Sequence, residues 1–190
     1  EGNVVVSTFA ELEAAAKAGG NIALGADIEF TKNIAVTNAD FTLNGKGHKI
    51  TQAESFNNPL ALIDITNGKI GLKNVKFDGI KNGAVLRTVY AELKADNVTV
   101  ENCSFRATGV DVIALKIRQG YNITVKDCVA DGVTRANTSG MHSLGQFYGC
   151  TGITIDGVEF NADRGVSFGT SLNIVVKNST FVAESYGLRA

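Results

Sequence analysis

Five charged or titratable side chains carry the groups that chemistry on an acidic substrate needs: Asp111, Lys116, Arg118, His142 and Arg164. A lysine or arginine can remove a proton, and a second cation can neutralise the negative charge that makes that proton hard to remove. We therefore predict that these residues form the catalytic surface if the protein is an enzyme. The alternative interpretation is that each is a solvated position on the outer face of a strand.

Three further polar residues are candidates for ligand binding: Arg135, Gln146 and Tyr148. They lie in residues 131–151, the longest of the segments between the repeats described next. In repeat proteins, insertions collect on one face, and that face usually binds the ligand. If the register of the repeats allows it, these residues converge with the five above on a single flank.

The elements that must position these side chains are copies of a nine-residue motif, seen most clearly in residues 97–105. Each copy alternates two apolar residues with polar ones, then has Asn, Asp or Gly at a bend, then two further apolar or small residues. The first apolar residues of the five copies, 21 to 30 residues apart, are Ile70, Val98, Ile123, Ile153 and Ile174. A fixed motif at such a period is typical of a solenoid.

The motif predicts a parallel β-helix. Alternation places one strand face in the core and the other in water, and the bend residue tolerates a left-handed backbone. Stacked turns should then form an aliphatic ladder, an Asn ladder at the bend and a Phe ladder. The Phe ladder is predicted from Phe77, Phe105, Phe160 and Phe181, with Ala130 as its gap.

The N-terminal residues predict a cap for this solenoid. A short strand at residues 4–6 precedes Thr8 and Glu11, which have the spacing of a capping box, and an apolar stripe follows at helical spacing. An uncovered solenoid end exposes core and strand edges, so we expect the helix to act as a lid. We predict one domain over residues 1–190, with residues 1–20 as strand and capping helix and residues 21–190 as stacked coils.

Composition excludes several classes of partner. The net charge is -1 and no Lys- or Arg-rich run occurs, which argues against nucleic-acid binding. No apolar run is long enough to insert in a membrane, and no metal site is predicted. Cys103 and Cys128 occupy the same motif position on consecutive coils, so we expect them to be buried neighbours; a disulfide between them would have poor geometry.

The repeats and the opening segment, residues 8–24, resemble the right-handed parallel β-helix proteins of the pectate-lyase-like superfamily. The resemblance implies an all-β, single-stranded right-handed parallel β-helix with a short N-terminal capping α-helix. It also implies a carbohydrate-binding groove on the flank of the solenoid. Residues 109–116, Gly-Val-Asp-Val-Ile-Ala-Leu-Lys, are similar to a polygalacturonase segment with paired catalytic carboxylates. Asp111 matches one of those carboxylates, whereas Val110 replaces the other.

Two functions are expected from these observations. The first is a non-catalytic module of a secreted, cell-surface or virion protein that is rigid and binds a polysaccharide or surface glycan. The alternative is a polysaccharide lyase or glycoside hydrolase acting on an acidic polysaccharide, and a lyase would add Ca²⁺ as a cofactor. Because no capping element follows the last coil, we also expect a homotrimer or a further domain to cover that end.

Overall fold

Parallel strands dominate the structure, a computed structural model that describes residues 3–90, 97–109, 111–132 and 143–190. These residues contain one α-helix, α1 (Phe9–Ala18), and eighteen strands. The strands are β1 (Val4–Val6), β2 (Gly20–Leu24), β3 (Ile28–Phe30), β4 (Ile34–Asn44), β5 (Lys49–Gln52), β6 (Ala61–Lys73), β7 (Lys76–Ile80), β8 (Ala84–Val89), β9 (Val98–Glu101), β10 (Ser104–Ala107), β11 (Ile113–Arg118), β12 (Tyr121–Lys126), β13 (Val129–Gly132), β14 (Ser143–Tyr148), β15 (Thr151–Asp156), β16 (Glu159–Gly169), β17 (Leu172–Lys177) and β18 (Thr180–Arg189).

The described strands form a parallel β-solenoid of about six turns, as the motif predicts. Each full turn contributes three strand segments, and equivalent segments stack into three sheets. Sheet A contains residues 34–37, residues 61–66, β8, β11, β14, residues 164–169 and residues 186–189. Sheet B contains β1, β2, residues 40–44, residues 69–73, β9, β12, β15 and β17. Sheet C contains β3, β5, β7, β10, β13, residues 159–162 and residues 180–183.

The predicted aliphatic ladder is confirmed in sheet B. The register partners, in order, are Ile70, Val98, Ile123, Ile153 and Ile174. The first four are buried in the core, and the fifth, on the last complete turn, packs against it. Burial of these side chains is the main force that holds consecutive coils together, because each apolar side chain leaves water only when its neighbours stack on it.

The Phe ladder is also confirmed, in sheet C. Phe77 and Phe105 are register partners whose ring centroids lie 5.3 Å apart with the planes 5° from parallel. Phe105 then pairs with Ala130, and Ala130 with Phe160. A cavity of about 20 Å³ lies at this gap. The cavity is smaller than a phenyl ring, so the neighbouring side chains have closed most of the space that a fifth Phe would occupy.

The predicted bend is a left-handed corner between sheets B and C. Asn74, Asn102, Asp127 and Asn178 have φ between 50° and 53°, and Gly157 has φ 67°. The Asn102 Nδ2 donates to the Asn74 Oδ1 at 2.7 Å, so amide side chains also link consecutive coils.

A second left-handed corner, which the motif does not predict, lies between sheets A and B. Its residues on successive coils are Asn38, Asn67, Tyr90, Gln119, Gly149 and Thr170, with φ between 46° and 64°. Strands β8, β11, β14 and β16 end just before this corner, whereas β4 and β6 continue through it, so on the later coils the last side chain before the corner lies at the rim of sheet A.

The helix α1 covers the N-terminal end, as expected of a lid. The Thr8 Oγ1 accepts from the Glu11 amide at 3.3 Å, and the Glu11 carboxylate accepts from the amides of Ser7 and Thr8 at 2.8 and 3.1 Å. Leu12 is buried, and the ring of Phe9 meets Phe30 edge-on with 5.0 Å between centroids. The lid therefore adds an apolar layer to the first coils.

The three cysteines are free and buried. Hydrogen bonding with the Cys128 thiol, together with burial, raises the pKa of Cys103. Burial likewise raises the pKa of Cys150. These two thiols stay protonated at neutral pH and serve as small core side chains.

Candidate functional site

A groove of about 600 Å³ crosses the outer face of sheet A near its C-terminal end. It spans four neighbouring strand segments: β11, β14, residues 164–169 and residues 186–189. The residues that line it are Lys116, Arg118, Gln146, Phe147, Tyr148, Arg164, Ser167, Phe168, Gly169, Tyr186, Arg189 and Ala190.

Two columns of outward-facing positions run along this groove. In the first column the register partners are Lys116, Gln146, Ser167 and Arg189. In the second column they are Arg118, Tyr148 and Gly169, each the last residue of its strand before the second corner. Consecutive members of a column are separated by the spacing of hydrogen-bonded strands, about 4.8 Å. We call the first the Lys116 column and the second the Arg118 column.

The Arg118 column holds a stacked cation. The guanidinium carbon of Arg118 lies over the ring of Tyr148, 5.6 Å from its centroid. On the next coil, a Cβ built on Gly169 would approach the Tyr148 Cδ2 to 2.7 Å, so the ring lies across the glycine. Tyr148 is 53% exposed and still fixed on two sides. This packing holds the guanidinium in place while leaving its N–H groups at the groove.

A second stacked group lies at the other end of the groove. Arg164 and Arg189 both lie over the ring of Tyr186, with guanidinium carbons 5.8 and 5.9 Å from its centroid. The Arg164 Nε also lies 3.7 Å from a carboxylate oxygen of Asp163. Three arginines on two tyrosines therefore form most of the groove's charged surface.

The charged side chains that line the groove are all positive. Four lining side chains are cationic, and none of the lining residues in the described part of the chain is Asp or Glu. On earlier coils the Lys116 column continues through Arg87 and Asp64, which are register partners. Their charges compensate each other, because the Arg87 Nη1 contacts both carboxylate oxygens of Asp64 at 2.9 and 3.0 Å. The positive charge is thus confined to the C-terminal half of sheet A, in a protein whose net charge is -1.

The structure brings together five of the eight residues singled out from the sequence: Lys116, Arg118, Gln146, Tyr148 and Arg164. Asp111 does not line the groove. It lies just before β11 in a left-handed conformation, φ 58°, and is exposed. Arg135 and His142 fall outside the described residues. Lys116, Arg118 and Arg164 therefore line one groove with Gln146 and Tyr148, whereas Asp111, the one candidate carboxylate, lies outside it.

Three polar lining residues are absent from the sequence-based candidates: Ser167, Tyr186 and Arg189. The pairing register of the sheet A strands would have identified these residues. Ser167 and Arg189 continue the Lys116 column, and Tyr186 is the register partner of Arg164. The nine-residue motif covers sheets B and C only, so it gives no alignment of the sheet A strands.

The described residues contain neither a metal-binding cluster nor a membrane-spanning helix. No group of three or more His, Cys, Asp and Glu side chains there is close enough to hold a metal ion. No helix in that part of the chain has the length and apolar character to cross a membrane.

Comparison with known proteins shows a shared fold. No family model matches the chain, and no curated protein matches it. A crystal structure of a candidate glycosyl hydrolase from Parabacteroides merdae ATCC 43184 aligns with a TM-score of 0.65 and 17% identity, over 93% of this chain and 92% of that one. The SRRP of L. reuteri 53608 aligns over 98% of this chain and 96% of that one at 13% identity. Its TM-score of 0.32 is too low to indicate a shared fold. At these identities, the first likeness shows a common β-solenoid architecture alone.

Proposed function

We propose that this protein is a non-catalytic β-solenoid module that binds an acidic polysaccharide or surface glycan in the groove on sheet A. The observation that carries the proposal is the set of three arginines stacked on Tyr148 and Tyr186 in a groove lined without Asp or Glu in the described residues. Such a surface is complementary to carboxylate or sulfate groups. A module of this kind would act where glycans are exposed, on a secreted, cell-surface or virion protein.

Arginine suits this task for geometric reasons. Its planar guanidinium presents several N–H donors in a fixed fork that pairs with both oxygens of a carboxylate or sulfate. Stacking on a tyrosine ring restricts the side chain before the ligand arrives, so less conformational entropy is lost on binding. The tyrosine rings and the Gln146 amide add apolar and hydrogen-bonding contacts for the sugar itself.

The arrangement of carboxylates argues against glycoside hydrolysis in this groove. Such hydrolysis ordinarily needs two carboxyl groups, one to protonate the leaving oxygen and one to activate water or attack the sugar. None of the described residues that line the groove is Asp or Glu, and the carboxylate of Asp163 lies beside the lining residue Arg164.

An enzyme acting on an acidic polysaccharide remains the second candidate. Two observations favour it: one protein with a similar fold is a candidate glycosyl hydrolase, and Lys116 lies beside Arg118 in the groove. A lyase would use one cation to neutralise the uronate carboxylate and a second group to remove the α-proton. If Ca²⁺ takes part, it must be bound by oxygen ligands.

Binding and turnover separate the two functions. Uronate-containing and neutral polysaccharides should be titrated into the protein, with unsaturated uronate and new reducing ends followed with and without Ca²⁺. We expect salt-sensitive binding to the acidic polymers and no product. Product that is lost in Lys116→Ala or Arg118→Ala would establish the enzyme instead. If neither binding nor product is observed with folded protein, the proposal is wrong.

A further inference from the structure

Three outward-facing positions of the solenoid change from polar to apolar on its last coil, residues 172–189. On the preceding coil these positions are occupied by Thr151, Thr154 and Asn161. Their register partners on the last coil are Leu172, Val175 and Val182, which are 66%, 50% and 59% exposed. In sheet B, the column that ends in Val175 is threonine on the three coils before it.

Apolar residues on both faces of a strand indicate that both faces are covered. Parallel strands that are buried on both faces read as continuous apolar runs, and residues 174–176 (Ile-Val-Val) and 181–183 (Phe-Val-Ala) are such runs. The inner members of both runs pack against the core. A further coil stacked on the last one would cover those inner members, but it would leave Val175 and Val182 pointing sideways into water. These two valines therefore indicate a partner that lies beside the solenoid.

A groove of about 360 Å³ on the outer face of sheet C contains one of these valines. The residues that line it are Val129, Ala130, Asp131, Glu159, Phe160, Asn161, Thr180 and Val182. Among these described lining residues none is Lys or Arg. Val129 and Val182 are exposed, so the sheet C groove presents two valines beside two carboxylates.

The two carboxylates of the sheet C groove differ in their surroundings. Asp131 is the register partner of Arg106, an exposed arginine on the preceding coil. The register partners of Glu159 are Val129 and Thr180, both uncharged. Glu159 is therefore the carboxylate that a cation of a partner would meet first.

The outer face of β17 is the complement of this groove. Leu172 and Val175 are exposed there, and Lys177 follows two residues later on the same face. The Lys177 Nζ lies 3.4 Å from a carboxylate oxygen of Asp156, and its side chain is 54% exposed. Because an ammonium group has three N–H donors, Lys177 can contact a second carboxylate.

We propose that the outer face of β17 in one copy of this chain docks in the sheet C groove of a second copy. The exposed apolar residues of β17 cover Val129 and Val182, and Lys177 faces Glu159 of the other copy. The two surfaces differ, so the contact is heterologous and its repetition closes a ring. Three copies are the fewest that can close such a ring, and we predict a trimer. Sheet A takes no part in the contact, so the groove proposed to bind glycan stays open in each copy.

Substitutions by the residues of the preceding coil test the apolar part of the contact. Sedimentation equilibrium of the natural protein should give three times the mass of one chain within about 1 to 100 μM, the range of moderately stable assemblies. Leu172→Thr/Val175→Thr and Val182→Asn, checked for folding by circular dichroism, should each weaken association at least about tenfold. The matched control is Leu60→Thr, at an exposed leucine just before β6, which should remain a trimer.

Reversal of charge tests which residues face each other. Glu159→Lys and Lys177→Glu should each weaken the trimer, and the protein with both changes should recover it, because opposite charges meet again across the contact. The two residues lie on different sheets of one copy, so recovery reports a contact between copies.

Each result supports or overturns the proposal. A natural protein that is monomeric over the whole concentration range would overturn it and leave the exposed valines to a partner of another kind. A dimer would contradict the heterologous contact. A trimer that survives the threonine and asparagine substitutions, or that the double charge reversal does not restore, would place the interface elsewhere on the solenoid.

Discussion

The guanidinium carbon of Arg118 lies 5.6 Å from the centroid of the Tyr148 ring, and the two residues are register partners on neighbouring coils. The contact joins a cation to an aromatic ring through the stacking of the solenoid itself, because equivalent positions on consecutive coils are adjacent. Its consequence is that the binding contributions of Arg118 and Tyr148 should depend on each other.

A double-mutant cycle measures this dependence. Arg118→Ala removes a charged hydrogen-bond donor and should weaken binding of an acidic oligosaccharide about tenfold. Tyr148→Leu should weaken binding by a smaller factor, because Arg118 loses the ring that holds it. Since this part of the loss is already included in Arg118→Ala, the double variant should weaken binding by less than the product of the two factors. The matched control is Arg106→Ala, an exposed arginine on β10 in sheet C, which should bind normally. Independent effects of Arg118 and Tyr148 would show that the stacking has no role in binding.

Gly169 is predicted to position the Tyr148 ring. A Cβ at residue 169 would come within 2.7 Å of the Tyr148 Cδ2, so Gly169→Ala should push the ring from its place without a large loss of stability. We expect weaker glycan binding and changed tyrosine fluorescence, which is readable because the chain has no Trp. In a Tyr148→Leu background the same alanine should have little further effect on binding. A full effect in that background would mean that Gly169 acts through some other contact.

The Phe ladder is predicted to be a principal source of stability. Phe77 is fully buried and stacked on Phe105, so Phe77→Ala should reduce the free energy of unfolding by about 3–5 kcal/mol. Ala130→Phe should also destabilise, because the cavity of about 20 Å³ at this position cannot hold a phenyl ring. Denaturant unfolding checks both variants, and a stabilised Ala130→Phe protein would contradict the second expectation.

The left-handed corner can be separated into backbone and side-chain contributions at Asn102. Its φ is 50°, and its amide donates to Asn74 at 2.7 Å. Asn102→Gly loses the hydrogen bond but keeps the backbone preference, whereas Asn102→Ala loses both. We expect the alanine variant to be less stable than the glycine variant by about 1 kcal/mol. Equal stabilities by thermal unfolding would show that the corner imposes no backbone strain.

The N-terminal lid is predicted to weaken in acid. The backbone amide of Ser7 is the main cause that lowers the pKa of Glu11 in the folded protein. A group whose folded pKa lies below its unfolded value stabilises the fold above the unfolded pKa, and this contribution is lost as the pH falls through the folded pKa. The difference in melting temperature between the natural sequence and Glu11→Gln should therefore be present at neutral pH and diminish as the pH falls through the lowered pKa of Glu11. A difference that persists in acid would contradict the capping role of the carboxylate.

Sequence patterns predicted the solenoid, its ladders and the N-terminal lid because each depends on local spacing. Alternation at Val98 and Val100, a tolerant residue at Asn102 and an apolar residue at Phe105 recur at equivalent positions in the five copies of the motif. The groove was harder to predict because it depends on which residues face one another across coils of unequal length. Lys116 and Gln146 are 30 residues apart, whereas Ser167 and Arg189 are 22 apart, so no single period aligns the Lys116 column.

The placement of Asp111 shows the same difficulty. Its distance along the chain from Lys116 is only five residues, yet it precedes the strand and lies outside the groove. Proximity in sequence to the two cations of β11 suggested a shared site. In an extended strand, however, five residues correspond to a separation of up to about 16 Å, more than the width of three stacked strands.

Calorimetric titration of an acidic oligosaccharide into the natural protein and into the double variant Arg118→Ala/Arg164→Ala, at low and high salt, tests the central claim most directly. We predict binding that weakens as salt increases, since part of the attraction is electrostatic. The double variant should lose at least about a hundredfold in affinity while melting at nearly the natural temperature. Undiminished binding by the folded double variant would place the glycan elsewhere and contradict the account.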